Sequence, residues 1–282
     1  MDAYRYVICD VFTDTALTGN PLAVFTDARG IPEARLQQLA RELNLSESVF
    51  VYPPAAGGDA RIRIFTPAHE LPFAGHPVLG TAIVLGEARS REGIRLETGR
   101  GPVPVQLTRV PGRPTFGWMS QPVPSVAPLA DAPTLLAALG VAGSVLPVEV
   151  YDNGIRHAYV ALETEDEVAR LTPDMSVLRR RFGDNGVNCF AGGGSRWKTR
   201  MFAPGHGVVE DPATGSAAGP LAVHLLRHGR LASGEEIRIT QGVEIGRPST
   251  LHARVTASGG GVERVEVGGA AVIVGGGEFA LF

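Results

Sequence analysis

The chain lacks several features that mark common protein classes. It has two cysteines, Cys9 and Cys189, in 282 residues, and both lie in short apolar runs typical of buried strands rather than of a disulfide pair. It has no CxxC or HExxH spacing, and no GxGxxG turn between a strand and a helix. Neither a metal site nor a dinucleotide site therefore has local support, and we expect no bound metal.

Long apolar runs and blocks of one charge are also missing. No run of about 18 apolar residues occurs, which argues against a membrane-spanning helix. The start, MDAYRYVICDVF, lacks the basic region and apolar stretch of a signal peptide. The net charge of -3 comes without a basic tract, so nucleic acid and anionic lipid are not expected partners. We expect a cytoplasmic enzyme or metabolite-binding protein.

Most patterned segments predict strands, and fewer predict helices. PEARLQQLARELN predicts an amphipathic helix that begins near Pro32. HPVLGTAIVLGEA and SAAGPLAVHLLRHGR are almost wholly apolar in their first parts, and a helix that is apolar on every side is buried on every side. We therefore predict an α+β fold with two halves, each a barrel-like sheet around a central helix. The predicted strands lie at residues 4–12, 48–51, 61–65, 94–97, 103–108, 148–151, 157–162, 198–202, 236–240, 249–255, 262–267 and 270–274.

A sequence pattern occurs twice in the chain. The first copy spans residues 63–76 and consists of RIFTP, a spacer of two residues and ELPFAGH. The second copy spans residues 200–216 and consists of RMFAP, a spacer of five residues and EDPATGS. Each copy ends where one of the two apolar helices begins, which indicates an ancient duplication. The Pro-rich stretch at 121–133 is a natural boundary, so we place the halves at 1–130 and 131–282. The matched pairs are Arg63 with Arg200, Phe65 with Phe202, Pro67 with Pro204, Glu70 with Glu210, Pro72 with Pro212, Gly75 with Gly215, and His76 with Ser216.

The two helix starts are candidate walls of one binding site. A helix N-terminus has unpaired N–H groups and partial positive charge, which suit an anion. Gly75 and Gly215 would let a ligand approach the backbone, Pro77 suits a first helical position and Ser216 suits an N-cap. If the halves pack about a pseudo-twofold axis, the starts face one cleft that would hold a small carboxylated molecule.

Each polar residue at these starts also has a simpler interpretation. His76 could only cap its helix, Asp211 could be an exposed turn residue, and Ser216 could be only an N-cap. Glu47 follows a helix that should end near Asn44, and it is either a solvated loop carboxylate or a carboxylate that faces the cleft. In the second case, burial by residues such as Phe50 and Phe73 would raise its pKa and favour proton transfer.

The combined pattern resembles the PhzF-type phenazine biosynthesis proteins, which share the diaminopimelate epimerase-like fold. The resemblance covers nearly the whole chain. It rests on DVFTDTALTGNPLAVF, ARELNLSESVFV, RIFTPAHELPFAGHPVLGTA, NGIRHAYV, NCFAGGGSRWKTRMFAPGHGVVEDPATGSAAGPLAVHLLRHG and QGVEIGRPS. The resemblance implies a site between two similar halves, a homodimer, and no metal or organic cofactor. It also implies isomerisation of trans-2,3-dihydro-3-hydroxyanthranilate, a small carboxylated cyclic amino acid.

The same resemblance assigns expected roles to particular residues. Glu47 stands at the catalytic glutamate of the LSES motif. The epimerase relatives use two cysteines, at places where this chain has Gly75 and Asp211, so two-cysteine chemistry is not expected. The expected catalytic residues are Glu47, His76 and Asp211, and the expected substrate-binding residues are Ser46, Gly75, Gly215 and Ser216.

Two other functions remain open from the sequence. One is isomerisation or epimerisation of another small amino or hydroxy acid, since fold does not fix function. The other is metabolite binding without turnover.

Overall fold

The computed structural model describes residues 2–259 and 261–281. By compactness the chain divides into a first unit, Met1–Ser120 with Gly268–Phe282, and a second unit, Gln121–Val267. The halves predicted at 1–130 and 131–282 differ from this division at two places. Residues 121–130 group with the second unit and residues 268–282 with the first, because the strands they contain pair there.

The predicted strands and helices are present, but the structure adds elements that the patterns missed. The strands are β1 (Asp2–Val11), β2 (Asn20–Phe25), β3 (Glu47–Tyr52), β4 (Ala60–Phe65), β5 (Glu70–Leu71), β6 (Gly93–Thr98), β7 (Gly101–Thr108), β8 (Phe116–Gln121), β9 (Ser125–Pro128), β10 (Glu149–Asp152), β11 (Arg156–Ala161), β12 (Gly186–Gly193), β13 (Arg196–Ala203), β14 (Val208–Asp211), β15 (Glu236–Gln241), β16 (Ser249–Ser258) and β17 (Gly261–Leu281). The helices are α1 (Glu33–Leu43), α2 (Gly75–Arg89), α3 (Ala132–Leu139), α4 (Glu165–Ala169), α5 (Met175–Phe182) and α6 (Gly215–Arg227). The elements that the patterns missed are β2, β5, β8, β9, β12, β14, α3, α4 and α5, and the structure has one strand, β17, where two were predicted at 262–267 and 270–274.

In the first unit the strands form a closed ring around α2. The pairings run β1–β2–β3–β4–β6–β7–β8, and β17 pairs with both β8 and β1. Every residue of α2 from Gly75 to Gly86 is buried, as its apolar sequence predicts. Outside the ring, α1 packs its Leu36 and Leu39 in one cluster with Phe25 and Phe50, whose rings stack 4.7 Å apart.

The second unit has a similar sheet and a central helix, α6. The pairings run β9–β10–β11–β12–β13–β15–β16, and α6 is buried from Gly215 to Leu225. An outer cluster joins Leu135 and Leu139 of α3 with Leu178 and Phe182 of α5. The α+β prediction of two barrel-like sheets, each with a central helix, is therefore confirmed.

The two units share matching side-chain contacts as well as similar strand pairing. The Arg63 guanidinium donates two hydrogen bonds to the Glu70 carboxylate, through Nε at 2.7 Å and Nη2 at 2.7 Å. Arg200 and Glu210 make the same pair at 2.9 and 2.7 Å. Each guanidinium also lies over the phenylalanine ring two residues further on, at 5.1 and 5.0 Å. These matched contacts support the duplication predicted from the sequence.

Neither cysteine has an environment suited to catalysis. Cys9 and Cys189 are free and buried, in β1 and β12, and burial raises the pKa of both thiols. A thiol that stays protonated is a poor base and a poor nucleophile. Over residues 2–259 and 261–281, no helix is both long enough and apolar enough to cross a membrane.

Candidate active site

The first unit brings Glu47 and His76 together. Glu47 is the first residue of β3, and His76 is the second residue of α2. The Glu47 Oε2 atom lies 3.4 Å from His76 Nε2, with side-chain exposures of 14% and 4%. Glu47 is therefore largely withdrawn from solvent, and the solvated-loop interpretation is wrong.

Asn20 lies on the other side of the His76 ring. Its Nδ2 atom is 3.3 Å from His76 Nδ1, and both residues are buried. Burial lowers the pKa of His76 to about 3, so the ring is neutral at ordinary pH. Because an amide nitrogen can only donate, Nδ1 accepts and the ring proton sits on Nε2. That N–H is on the side of the Glu47 carboxylate, with Nε2 3.4 Å from Oε2, but the two atoms are not hydrogen-bonded to each other in this structure.

A tight loop between β1 and β2 sets the position of Asn20. The Leu17 N–H donates to Asp10 Oδ2 at 2.7 Å, and Phe12 and Leu17 both have a positive φ. Gly19 has φ +69°, and a Cβ there would lie 2.5 Å from the Val11 carbonyl oxygen. Only glycine fits at this position without distortion. The conformation of the loop therefore fixes the position of Asn20 beside the His76 ring.

The structure also gives the positions of the other residues of the first unit that the sequence predicts for the site. Ser46 is half-buried in the bend before Glu47, and Gly75 is the first residue of α2. Phe73 is fully buried. The expectation that Phe50 buries the Glu47 side chain is wrong, because side chains alternate along a strand and Phe50 packs on the opposite face, in the α1 cluster.

In the second unit, Asp211 lies at the start of α6. It ends β14 and is 6% exposed, so the interpretation as an exposed turn residue is wrong. The Thr214 hydroxyl donates to Asp211 Oδ2 at 2.7 Å. Gln241 Nε2 donates to the Asp211 carbonyl oxygen at 2.8 Å and to Thr214 Oγ1 at 2.9 Å. Gln241 thus fixes the turn that carries the carboxylate.

Two expectations about the helix starts need correction. The N-cap of α6 is Thr214, and Ser216 is the second helical residue. Ser216 therefore occupies the same position as His76 in α2, as the repeat predicts. Pro77 is the third residue of α2 rather than the first. It is tolerated there because the first N–H groups of a helix have no intrahelical acceptor.

Ser216 is held by two side chains of the second unit. Pro220 lies inside α6 and has no N–H for the Ser216 carbonyl four residues earlier. Asn153 Nδ2 supplies the missing hydrogen bond at 2.9 Å. His157 Nε2 lies 3.1 Å from Ser216 Oγ, and His157 is 2% exposed. Beside them, Gln121 Nε2 donates to the Gly215 carbonyl at 2.8 Å.

No local motif in the sequence indicates a role for several of these side chains. Asn20 falls within DVFTDTALTGNPLAVF, Asn153 and His157 within NGIRHAYV, and Gln241 within QGVEIGRPS. These stretches are among those that resemble the family, and this resemblance is the one feature of the sequence that points to the four residues. Their contacts with α2 and α6 depend on strand pairing and cannot be read from local spacing.

The structure thus shows two polar groups, one at the start of each central helix. Glu47, His76 and Asn20 form the first, which we call the acid–imidazole group. Asp211, Ser216 and His157 belong to the second, which we call the serine group. The prediction that both line one cleft stays a prediction.

Comparisons with known proteins show extensive similarity. A family model described as phenazine biosynthesis-like protein (PhzC-PhzF) matches residues 9–277. A trans-2,3-dihydro-3-hydroxyanthranilate isomerase of Pseudomonas fluorescens is 50% identical over 278 residues, which cover 99% of this chain and 100% of that protein. The isomerase of that name from Pseudomonas aeruginosa is 53% identical over 266 residues, which cover 94% and 95%. A PhzF-family protein of Bacillus anthracis, 24% identical, matches in fold with a TM-score of 0.87 over 100% of both chains.

Proposed function

Because this chain belongs to the PhzC-PhzF family of phenazine biosynthesis-like proteins, we propose that it is a trans-2,3-dihydro-3-hydroxyanthranilate isomerase. The product would be a 6-amino-5-oxocyclohexene carboxylate, an intermediate of phenazine biosynthesis. The observation that carries this proposal is the identity of 50% and 53% to two proteins with that name, over nearly the full length.

Glu47 is the proposed proton carrier. Its carboxylate removes the proton from C3, the substrate carbon that bears the hydroxyl group, and the conjugated diene spreads the developing charge. The same carboxyl group then delivers a proton to C1, which bears the substrate carboxylate, on the same face. The resulting enol becomes a ketone. One hydrogen moves and two double bonds shift, so the step needs no oxidant or reductant.

The neutral His76 supports this role without changing the charge of the group. Its Nε2 atom lies 3.4 Å from Glu47 Oε2 without a hydrogen bond between them, and a small rotation of either side chain would let Nε2–H donate to the carboxylate before proton removal. When Glu47 becomes protonated, the imidazole stays neutral and no buried ion pair has to be separated. General acid–base assistance of this kind contributes roughly 10²–10⁴-fold to a rate, and positioning supplies the rest.

The serine group is the proposed anchor for the substrate carboxylate. The first N–H groups of α6, at Gly215 and Ser216, suit an anion because they have no intrahelical acceptor. Asp211 and His76 would orient the amino and hydroxyl groups of the ring, and Ser46 and Gly75 would complete the binding surface. These assignments follow the family resemblance and the positions of the residues at the two helix starts.

The first experiment compares Glu47→Gln with Glu42→Gln. Both changes replace one carboxylate by an amide, and Glu42 is exposed on α1. Loss of the diene absorbance of the substrate reports turnover. We expect E47Q to bind substrate with less than about a tenth of the wild-type kcat, and E42Q to be unchanged. A kcat for E47Q near that of wild type would remove Glu47 from the role.

The same assay separates the other candidate functions. If the substrate is unchanged but another small amino or hydroxy acid exchanges its protons in deuterated water, the chain is an isomerase of that acid. Tight binding with no exchange for any acid would indicate a binding protein without turnover.

We also propose that the enzyme is a homodimer, as the resemblance implies, and that it is cytoplasmic, as the composition of the sequence predicts. Light scattering would then give twice the mass of one chain, and a mass equal to one chain would contradict the dimer. Fractionation of the native cells would place the protein with the cytoplasmic enzymes.

A further inference from the structure

The duplication shows which residue of the second unit corresponds to Glu47. In the first unit, the residue after Glu47 pairs with Phe65 across two antiparallel strands. In the second unit, the residue after Gly186 pairs with Phe202 in the same way. Since Phe65 and Phe202 are equivalent in the repeat, Glu47 and Gly186 are equivalent too. The second unit therefore has no side chain where the first unit has its carboxylate.

His157 occupies the space that this glycine leaves. His157 lies opposite Gly186 in the parallel β11–β12 pair, and a Cβ at Gly186 would lie 2.6 Å from His157 Nδ1. A side chain at 186 and the imidazole therefore exclude each other. The ring reaches Ser216, the equivalent of His76, with its Nε2 atom 3.1 Å from Oγ. Each unit thus has a polar side chain from its sheet against the second residue of its central helix, Glu47 against His76 and His157 against Ser216.

The surroundings of the ring indicate where its proton lies. Burial lowers the pKa of His157 to about 3, so the ring is neutral and carries one N–H. Nδ1 is buried and has no hydrogen-bond partner among the described residues. A buried N–H without an acceptor is rarer and more costly than a buried lone pair without a donor. The proton is therefore on Nε2, which donates to Ser216 Oγ.

The direction of the hydrogen bond between His157 and Ser216 determines whether the Ser216 hydroxyl can donate to a ligand. A hydroxyl has one hydrogen, and a carboxylate only accepts hydrogen bonds. If Ser216 donated its hydrogen to His157, only oxygen lone pairs would face the substrate carboxylate. With Nε2–H as the donor, the Ser216 hydrogen is available for the carboxylate.

We propose that His157 is a positioning residue, which donates Nε2–H to Ser216 Oγ and so makes the Ser216 hydroxyl a donor to the substrate carboxylate. The proposal rests on the proposed function. It concerns substrate binding rather than proton transfer, because His157 acts through Ser216.

The kinetic test compares His157→Phe with His157→Gln. Phenylalanine keeps a ring next to Gly186 and removes the donor, whereas the amide nitrogen of glutamine reaches about as far as the imidazole Nε2. We expect H157F to raise KM by about tenfold, the effect of one hydrogen bond to a charged group, with a smaller change in kcat. H157Q should recover most of the loss. Equal KM values for H157F and wild type would overturn the proposal.

A double-mutant cycle with Ser216→Ala tests whether the effect passes through the hydroxyl. In the S216A background, H157F should change KM little further. Tyr159→Phe is the control, because it removes a different donor to α6, the Tyr159 hydroxyl at 2.7 Å from the Ala217 carbonyl oxygen. Its effect should add to that of S216A. Additive effects of H157F and S216A would overturn the proposal while turnover by the wild type still supports the proposed function.

The wild-type protein allows a direct measurement that needs no variant to be active. Nitrogen-15 NMR of histidine-labelled protein distinguishes the two neutral tautomers, and the signals missing from H157Q identify His157. We expect the Nε2–H tautomer. The Nδ1–H tautomer would overturn the proposal. Absence of turnover by the wild type would overturn the proposed function and this inference with it.

Discussion

At the scale of single residues, the acid–imidazole group depends on a side chain that carries no charge. The Asn20 amide donates to Nδ1 of His76 at 3.3 Å, which places the ring proton on Nε2 and therefore beside Glu47. Without that donor the neutral ring could hold its proton on either nitrogen. The chemistry proposed for Glu47 thus depends on an amide 27 positions earlier in the chain.

We expect Asn20→Leu to lower kcat about tenfold, equivalent to about 1.4 kcal/mol in the barrier. Leucine has a similar size but cannot donate, so a fraction of the molecules would present the wrong tautomer to Glu47. Steady-state kinetics would measure the loss, and a urea titration would show that the variant is folded. An unchanged kcat in a folded N20L protein would contradict this account of Asn20.

Glu47 and His76 could be predicted from the sequence, but Asn20 and His157 could not be given roles. The first two lie in local motifs, and the family resemblance pointed to them. Asn20 is 56 residues from His76 in the chain, and its contact depends on how β2 is placed beside α2 in the folded unit. Phe50 shows the same limit, since its face of β3 is set by the packing of α1.

At the scale of elements, the two central helices are similar in burial but differ in how their first turns are satisfied. In α6, Pro220 removes the N–H that would bond the Ser216 carbonyl, and Asn153 supplies a substitute at 2.9 Å. The apolar sequence predicted that the helix is buried. It could not show that Thr214 is the N-cap, because Gln241, 27 residues away, holds that turn.

We expect Asn153→Ala to destabilise the protein by about 1–3 kcal/mol, the cost of a buried carbonyl without a donor. In a Pro220→Ala background the residue at 220 has an N–H for the Ser216 carbonyl, so N153A should cost less. Urea unfolding of the four proteins measures both effects. If N153A costs the same free energy of unfolding in both backgrounds, the Asn153 amide does not take the place of the missing backbone N–H at position 220.

The repeated arginine–glutamate pairs differ in exposure and in their other partners, since Arg63 also donates to Glu33 and Arg200 to three backbone carbonyls. Arg200 and Glu210 are 9% and 8% exposed, whereas Arg63 and Glu70 are 24% and 41% exposed. Removal of one partner from a buried pair leaves an uncompensated charge, while exposed pairs contribute up to about 1 kcal/mol. Glu210→Gln should therefore lower the free energy of unfolding by about 3–5 kcal/mol, and Glu70→Gln by no more than about 1 kcal/mol. Equal losses would contradict this prediction.

At the scale of the whole molecule, both units contain a buried neutral histidine next to the start of their central helix. Burial lowers the pKa of His76 and of His157 to about 3, against about 6.5 in an unfolded chain. Between these values the unfolded state binds more protons than the folded state. Stability therefore falls as pH falls from about 6.5 towards 3, by at most about 1.4 kcal/mol per pH unit for each histidine.

We expect His157→Gln to reduce the acid sensitivity of the protein. Glutamine removes one of the three histidines whose pKa is lowered by burial, His76, His157 and His224, so the difference in unfolding free energy between pH 7 and pH 4 should be smaller than in wild type. Urea titrations at the two pH values provide the measurement. An equal or larger difference in H157Q would contradict a neutral buried His157.

The presence of two similar halves could be predicted from the sequence, whereas the pairing of the first strand with the last could not. The repeat and the two apolar helices indicate two similar halves. The last strand, however, pairs with the first through residues such as Ala3 and Ala280, and no local pattern shows that pairing. The division into units therefore places β17 from Gly268 onwards in the first one.

The central claim is that Glu47 removes the hydrogen at C3 of the substrate. The most direct measurement follows the loss of deuterium from trans-2,3-dihydro-3-hydroxyanthranilate labelled at C3, by NMR, with wild type, E47Q and E42Q. We expect wild type and E42Q to remove the label at the rate of turnover, and E47Q to leave it in place. Loss of the label with E47Q at the wild-type rate would contradict the account.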